Sequence, residues 1–307
     1  MMNLKGRDYL TLLDFTKEEI EHVLNLSLQL KKEPREILKN KTLIMLFQKP
    51  STRTRISFEV AMTQLGGHAI YMDFVTSQLS RGESLSDTAK VLSRYGDVIM
   101  ARLYRHEDIE LIAKSSEVPV INGLTDLYHP CQTTGDLLTV LEKKGKIDGL
   151  TIAFVGDCGF NMANSTMIGF SKMGANVRLV APEDPVYLPK PEILEKAKKQ
   201  AKGKIEIFHD PVEGVKGVDI IYTDVWVSMG QEEEKEKRLK DLKPFQVNSE
   251  LVSHASPDVI VMHCLPAHRG QEITSNVMDG PHSVIWDQAE NRLHAQKGIL
   301  AAIVGGL

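Results

Sequence analysis

The chain has 307 residues, too many for one ordinary α/β core and about right for two domains of roughly 150 residues each. Hydrophobic residues make up 42% and charged residues 25%, which excludes a disordered or fibrous class. A net charge of -4, with no basic stripe interleaved with aromatic residues, excludes nucleic acid as an expected partner, so an anionic ligand must be held by local groups.

The first element is an amphipathic helix from Thr16 to Leu30, where Ile20, Val23, Leu24 and Leu28 recur at helical spacing and Thr16 with Glu19 makes a capping box. Leu43 to Phe47 is a short uninterrupted apolar run, as in a parallel strand covered on both faces. Phe58, Met62 and Leu65 then share one helix face, Gly66-Gly67 stops that helix, and Ala69 to Met72 reads as the next strand. Further strands are expected at Asp97 to Ala101 and Val118 to Ile121, and a Leu-rich helix (Leu137, Leu138, Leu141) leads away. A second series follows: Leu150 to Val155, Val177 to Ala181, Ile205 to Phe208, Val218 to Tyr222, Val259 to Met262 and Val284 to Trp286. Strands alternating with helical patterns give a second, mostly parallel sheet. The expected protein is α/β, with two domains, each a mostly parallel sheet flanked by helices, and an active site in the cleft between them. The domains are read as 1–133 and 134–290, with 134–149 as a linking helix and 291–307 as a C-terminal helix returning to the first domain.

No apolar run approaches the ~18 residues of a membrane span, and no secretory leader pattern opens the sequence, so no membrane is expected. Cys131, Cys158 and Cys264 are far apart and outside any CxxC pair; they suit a reducing cytoplasm and give neither a disulfide framework nor a structural zinc site. The charged stretches 196–204 and 232–240 read as solvated helix faces.

Chemistry gathers in a few short segments. Ser51-Thr52-Arg53-Thr54-Arg55 follows the first strand and opens a helix, which is where open α/β sheets bind ligands. Free N–H groups at a helix start, three hydroxyls and a guanidinium fork together suit a phosphate. A Ser/Thr helix cap with solvent-facing arginines is the plainer alternative. The segment is no P-loop, because GxxxxGK[ST] is absent.

STRTR, followed by His129-Pro130-Cys131-Gln132, Asp224-Val225-Trp226-Val227-Ser228-Met229-Gly230 and His263-Cys264-Leu265-Pro266, resembles the carbamoyltransferase family in order and spacing over nearly the whole chain. The DxxxSMG segment is similar to that of the ornithine-using branch. The resemblance implies transfer of a carbamoyl group from carbamoyl phosphate to the side-chain amine of L-ornithine, giving L-citrulline and phosphate, with no cofactor or metal required. It implies that Ser51, Thr52, Arg53 and Thr54 hold the phosphate, and that Arg102 and His129 bond the carbonyl oxygen, with Thr54 close to it. Gln132 and the backbone at Cys264 and Leu265 would accept from the carbamoyl NH2, and Arg292 would reach the same ligand. Asp224, Ser228, Met229 and Asn161 would meet ornithine, with Asn164 a rival for Asn161. Arg102, His129, Cys264 and Asp224 would be the catalytic residues, with Asp224 pairing the ammonium of the acceptor. The loop around Gln78 would reach a neighbouring subunit's site in a homotrimer or a higher assembly of trimers.

Plainer roles stand beside these. Arg102 could serve a surface ion pair, His129 before Pro130 a turn, Asp224 a cap, and Cys131 packing; Cys264 beside His263 could instead ligate a metal, given further partners. Aspartate or putrescine is the alternative acceptor within the family. Outside it, a nucleotide-binding oxidoreductase is suggested by Thr151 to Val155 running into Gly156, but Cys158 and Asn161 stand where GxGxxG needs glycine.

Overall fold

A computed structural model describes residues 3–228 and 230–307. The chain divides into two compact units, Met1–Leu138 together with Glu290–Leu307, and Thr139–Ala289.

In the first unit, β1 (Thr42–Phe47), β2 (His68–Asp73), β3 (Val98–Arg102) and β4 (Val120–Leu124) form a parallel sheet in the order β2-β1-β3-β4. Both faces of β1 are apolar because helices cover both, and Leu43 to Phe47 are all buried. β4 is sealed along its outer side by the segment before the first helix. There Tyr9 N–H donates to Val120 O at 2.8 Å and Asn122 N–H donates to Tyr9 O at 2.9 Å, so an edge that could pair with another chain is already used.

The opening helix runs Lys17–Lys32, with the Thr16/Glu19 capping box in place. Ile285–Leu300 crosses it so closely that a Cβ on Gly298 would lie 2.6 Å from Val23 O. Only glycine permits that approach, which fixes the height of Arg292 one and a half turns earlier.

The second unit has β5 (Thr151–Val155), β6 (Asn176–Val180), β7 (Ile205–Phe208), β8 (Ile220–Thr223) and β9 (Ile260–His263), all parallel, in the order β7-β6-β5-β8-β9. Its core is aliphatic: Ala153, Val155, Ile221 and Val261 from the strands pack with Val247, Val277 and Ile285. The expected sixth strand at Val284 to Trp286 is not formed. Ser283 makes one isolated bridge to Val261, and Ile285 already begins the helix Ile285–Leu300. Three apolar residues in a row cannot separate a short strand from the first turn of a buried helix.

Each sheet changes direction once. The chain leaves β1 for β2 on one side and returns to β3 on the other, and it leaves β5 for β6 and β7 before returning to β8. Loops diverge at such a point and leave room above the carboxyl ends of the strands. Among the described residues no helix is long and apolar enough to cross a membrane.

Candidate active site

The first unit gathers one set of polar residues at its switch point. β1 and β3 are paired so that Phe47 lies beside Arg102 at their carboxyl ends. Past β1, Ser51 caps the helix Thr52–Gln64, its Oγ accepting from Thr54 N–H at 3.3 Å, and the first turn holds no acidic side chain. The helix dipole there is free to meet an anion. The two arginines of the segment part company: Arg55 Nε donates to Glu59 Oε1 at 2.9 Å and its guanidinium lies 3.9 Å above the Tyr71 ring, which takes it away from the helix mouth. Arg53 stays near His129.

His129 and Gln132 are buried at the start of the helix Pro130–Lys144. Gln132 Oε1 accepts from Arg292 Nη1 at 2.6 Å and its amide donates to Asp136 Oδ1 at 2.8 Å. Arg292 Nη2 also donates to Thr54 Oγ1 at 3.2 Å. Residues 54, 132 and 292, remote in sequence, are therefore one hydrogen-bonded group. Burial, then the charges of Arg292, Arg102 and Arg53, push the His129 imidazole well below its ordinary 6.5, so it is neutral and carries one N–H donor. This is a strongly cationic cluster around a buried neutral donor. It can take a phosphate dianion and at the same time polarise a carbonyl oxygen.

Gln78 is exposed on the short turn Gln78–Arg81; the described hydrogen bonds do not bring its side chain to this group.

The second unit carries another set, again past a switch point, where Val155 lies beside Thr223 at the ends of β5 and β8. Asn161 is the first residue of the helix Asn161–Lys172, and Asn164 stands one turn on; both are buried. Asp224 leaves β8 directly. Its Oδ1 accepts from Val225 N–H at 2.8 Å and from the Cys264 thiol at 3.0 Å. Burial raises the Asp224 carboxyl above its usual range, opposed by His263 and by the Cys264 hydrogen bond. Ser228 is half-buried, with its N–H bonded to Gln231 Oε1 at 2.9 Å. Met229 lies outside the described residues.

Cys264 and Leu265 follow β9 in a bent segment: Leu265 has φ 61°, and the Leu265-Pro266 peptide is cis. A left-handed backbone is uncommon for a bulky side chain and must be held. His263 does so, Nδ1 accepting from Leu265 N–H at 2.8 Å while Nε2–H donates to the fully buried Glu272 at 3.0 Å. Glu272 also accepts from His268 N–H at 2.6 Å, and Gln288 Oε1 accepts from His263 N–H at 2.9 Å. None of His263, Glu272 or Gln288 stood out in the sequence as a site residue. The HCLP segment itself was the available signal, because a histidine beside site residues calls for groups that fix its ring nitrogens.

Asp224, His263 and Cys264 also offer three donor atoms within 4.8 Å of one another. Both nitrogens of His263 are already engaged, so a metal would have to displace one of those bonds.

Two family models match the chain: the carbamoyl-P binding domain of aspartate/ornithine carbamoyltransferase over residues 7–142, and its Asp/Orn binding domain over 148–303. The chain belongs to the aspartate/ornithine carbamoyltransferase family. Within this carbamoyltransferase family it is 55% identical to the ornithine carbamoyltransferase of Thermococcus kodakarensis, covering 100% of this chain and 99% of that protein. It is 54% identical to the anabolic ornithine carbamoyltransferase of Pyrococcus furiosus over 100% of this chain and 99% of that protein. The solved structure of ornithine carbamoyltransferase from P. furiosus superposes with a TM-score of 0.95 at 54% identity, covering 100% of both chains.

Proposed function

We propose that this protein transfers the carbamoyl group of carbamoyl phosphate to the side-chain amine of L-ornithine, releasing L-citrulline and phosphate. Ornithine carbamoyltransferases matched over their full length support the reaction. One observation on the chain itself carries the choice of acceptor: the charged group past β8 is the carboxylate of Asp224, joined to the Cys264 thiol at 3.0 Å. A carboxylate suits an incoming ammonium, whereas aspartate as acceptor would need a cation for its second carboxylate.

In this reading the unit bearing Ser51 to Thr54 binds the donor and the unit bearing Asp224 binds the acceptor, both ligands being held at once. Ser51, Thr52, Arg53 and Thr54 hold the phosphate. Arg102 and His129 donate to the carbonyl oxygen, on which negative charge builds as the amine attacks. Gln132 and the backbone at Cys264 and Leu265 orient the carbamoyl NH2, and Arg292 steadies Gln132 and Thr54. Asn161, Ser228 and Met229 take the amino-acid end of ornithine. The amine must lose a proton to solvent before it attacks; it loses another as the new C–N bond forms, and that one leaves with the phosphate as the C–O bond breaks, while Asp224 holds the amine in place. No step calls for a metal or cofactor.

The direction is that of arginine biosynthesis, in keeping with the word anabolic in the name of the P. furiosus relative, and the compartment is the cytoplasm. The assembly is a homotrimer, or several trimers, in which the exposed Gln78 serves a neighbouring subunit. Mixing Arg102→Ala with Gln78→Ala subunits by refolding should then restore activity above either variant alone.

The test of the reaction is to measure carbamoylated product from carbamoyl phosphate with ornithine, aspartate, putrescine and N-acetylornithine side by side. Ornithine should exceed the others by about 10²-fold or more in kcat/KM, since each of them lacks or blocks a group that the site is built to bond. A higher rate with aspartate would overturn the reading.

A further inference from the structure

The acceptor loops share a buried anchor that no proposed ligand contact requires. Asp157 follows β5 by two residues and is 6% exposed. Its Oδ1 accepts from Gly159 N–H at 2.9 Å, and its Oδ2 accepts from Arg238 Nη1 at 2.8 Å. The Gln231 side chain bonds the same carboxylate, while Gln231 Oε1 accepts from Ser228 N–H at 2.9 Å. Arg238, 2% exposed on the helix Lys235–Leu242, has its Nε bonded to Glu234 at 2.8 Å and its guanidinium 5.3 Å from the Tyr187 ring centre.

One carboxylate thus ties three stretches of backbone together. Gly159 lies two residues before Asn161, Gln231 three residues after Ser228, and Arg238 fixes the helix that follows. An ion pair that only joined the core would bind a helix to the sheet. This one binds the helix Lys235–Leu242 to the loop past β5, and Gln231 ties that loop to the one bearing Ser228, so both loops carrying residues assigned to the acceptor are held together.

We propose that Asp157, Gln231 and Arg238 form a positioning network that sets Asn161 and Ser228 in register to grip the amino-acid end of the acceptor. The proposal rests on the ornithine reading above. It makes the network a determinant of specificity: ornithine has an amino-acid end and putrescine does not, so loosening the network penalises ornithine alone.

Gln231→Leu removes the link to Ser228 without stranding a buried charge, and Arg238→Gln removes the cation. The KM for ornithine should rise about tenfold in Gln231→Leu, the loss of one or two hydrogen bonds. The KM for carbamoyl phosphate and the rate with putrescine should stay near wild type. Arg238→Lys, which keeps the charge, should recover part of what Arg238→Gln loses. The double variant should lose less than the product of the two single losses, because both act through Asp157. Calorimetric binding of 2-aminopentanoate, an acceptor analogue without the reactive amine, to the carbamoyl phosphate-loaded protein should weaken by the same factor as KM rises.

If Arg238→Gln fails to fold, Gln231→Leu with the analogue decides. Unchanged ornithine KM and analogue affinity in Gln231→Leu would overturn the positioning role, as would equal damage to both substrates together with a lowered melting temperature. A wild-type protein that carbamoylates no ornithine would instead overturn the functional reading on which the proposal stands.

Discussion

The two polar sets are built on opposite plans. In the first unit the proposed donor residues bond one another: Arg292 bridges Gln132 and Thr54 directly, and His129 feels three guanidinium groups. In the second unit Ser228 and Leu265 sit on loops and are held by residues outside the proposed site, Gln231 behind Ser228 and Glu272 with His263 behind Leu265. The donor grip is fixed by strand ends and helix starts, while the acceptor grip depends on its supports. A chemistry that keeps its donor and varies its acceptor calls for that division, because loops change more readily than a network of mutually bonded arginines.

The sharpest way to break the comparison is to remove a donor arginine. Arg53→Ala and Arg102→Ala should each lower kcat by about 10²-fold or more, since charge-assisted bonds to a ligand that redistributes charge are lost. Arg55→Ala, whose guanidinium is engaged by Glu59 and Tyr71, should stay near wild type. Steady-state kinetics of the three variants would check this, and equal losses in all three would sink the phosphate-cradle assignment.

Next in size is the pH dependence of the acceptor. An alkyl amine has a pKa of about 10.4 and only its neutral form attacks, so the rate at limiting ornithine should climb roughly tenfold per pH unit near neutrality. A profile flat from neutral to mildly alkaline pH would contradict amine attack as the limiting chemistry.

Smaller effects test the frame. Gly298→Ala places a methyl group 2.6 Å from Val23 O. It should cost about 1–3 kcal/mol of stability by overpacking and impair the donor set through Arg292, which urea unfolding and carbamoyl phosphate affinity would register. His129 gives the smallest effect. Its folded pKa is depressed well below 6.5, so its contribution to stability is full above the unfolded value and is lost as pH falls through the folded one. Below about pH 6.5 the wild type should lose up to ~1.4 kcal/mol per pH unit more than His129→Gln. Identical acid limbs in the two urea titrations would show that the imidazole is not held neutral.

Much of the fold was legible because buried parallel strands are short apolar runs, and nine of the expected strands form at or within a few residues of their places, including the half-exposed edge strands β2 and β7. Val284 to Trp286 misled because the same three letters lead into a helix that begins at Ile285. The candidate site was legible where a motif lies at a strand end, as at Ser51 to Thr54 and Asp224. Arg292 could be reached only through resemblance, since it meets Gln132 and Thr54 across 160 and 238 residues. The supports were hidden for the same physical reason: Asp157 and Arg238 are 81 residues apart, and Glu272 is marked by nothing local until His263 is seen to need it.

The division of labour is tested most directly by one paired measurement on Asp224→Asn: carbamoyl phosphate affinity by calorimetry beside kcat/KM for ornithine. The carboxylate bonds the Cys264 thiol and is assigned to the acceptor alone, so donor affinity should stay within about twofold of wild type while kcat/KM for ornithine falls by about 10²-fold. Equal weakening of both would contradict a donor grip and an acceptor grip built separately.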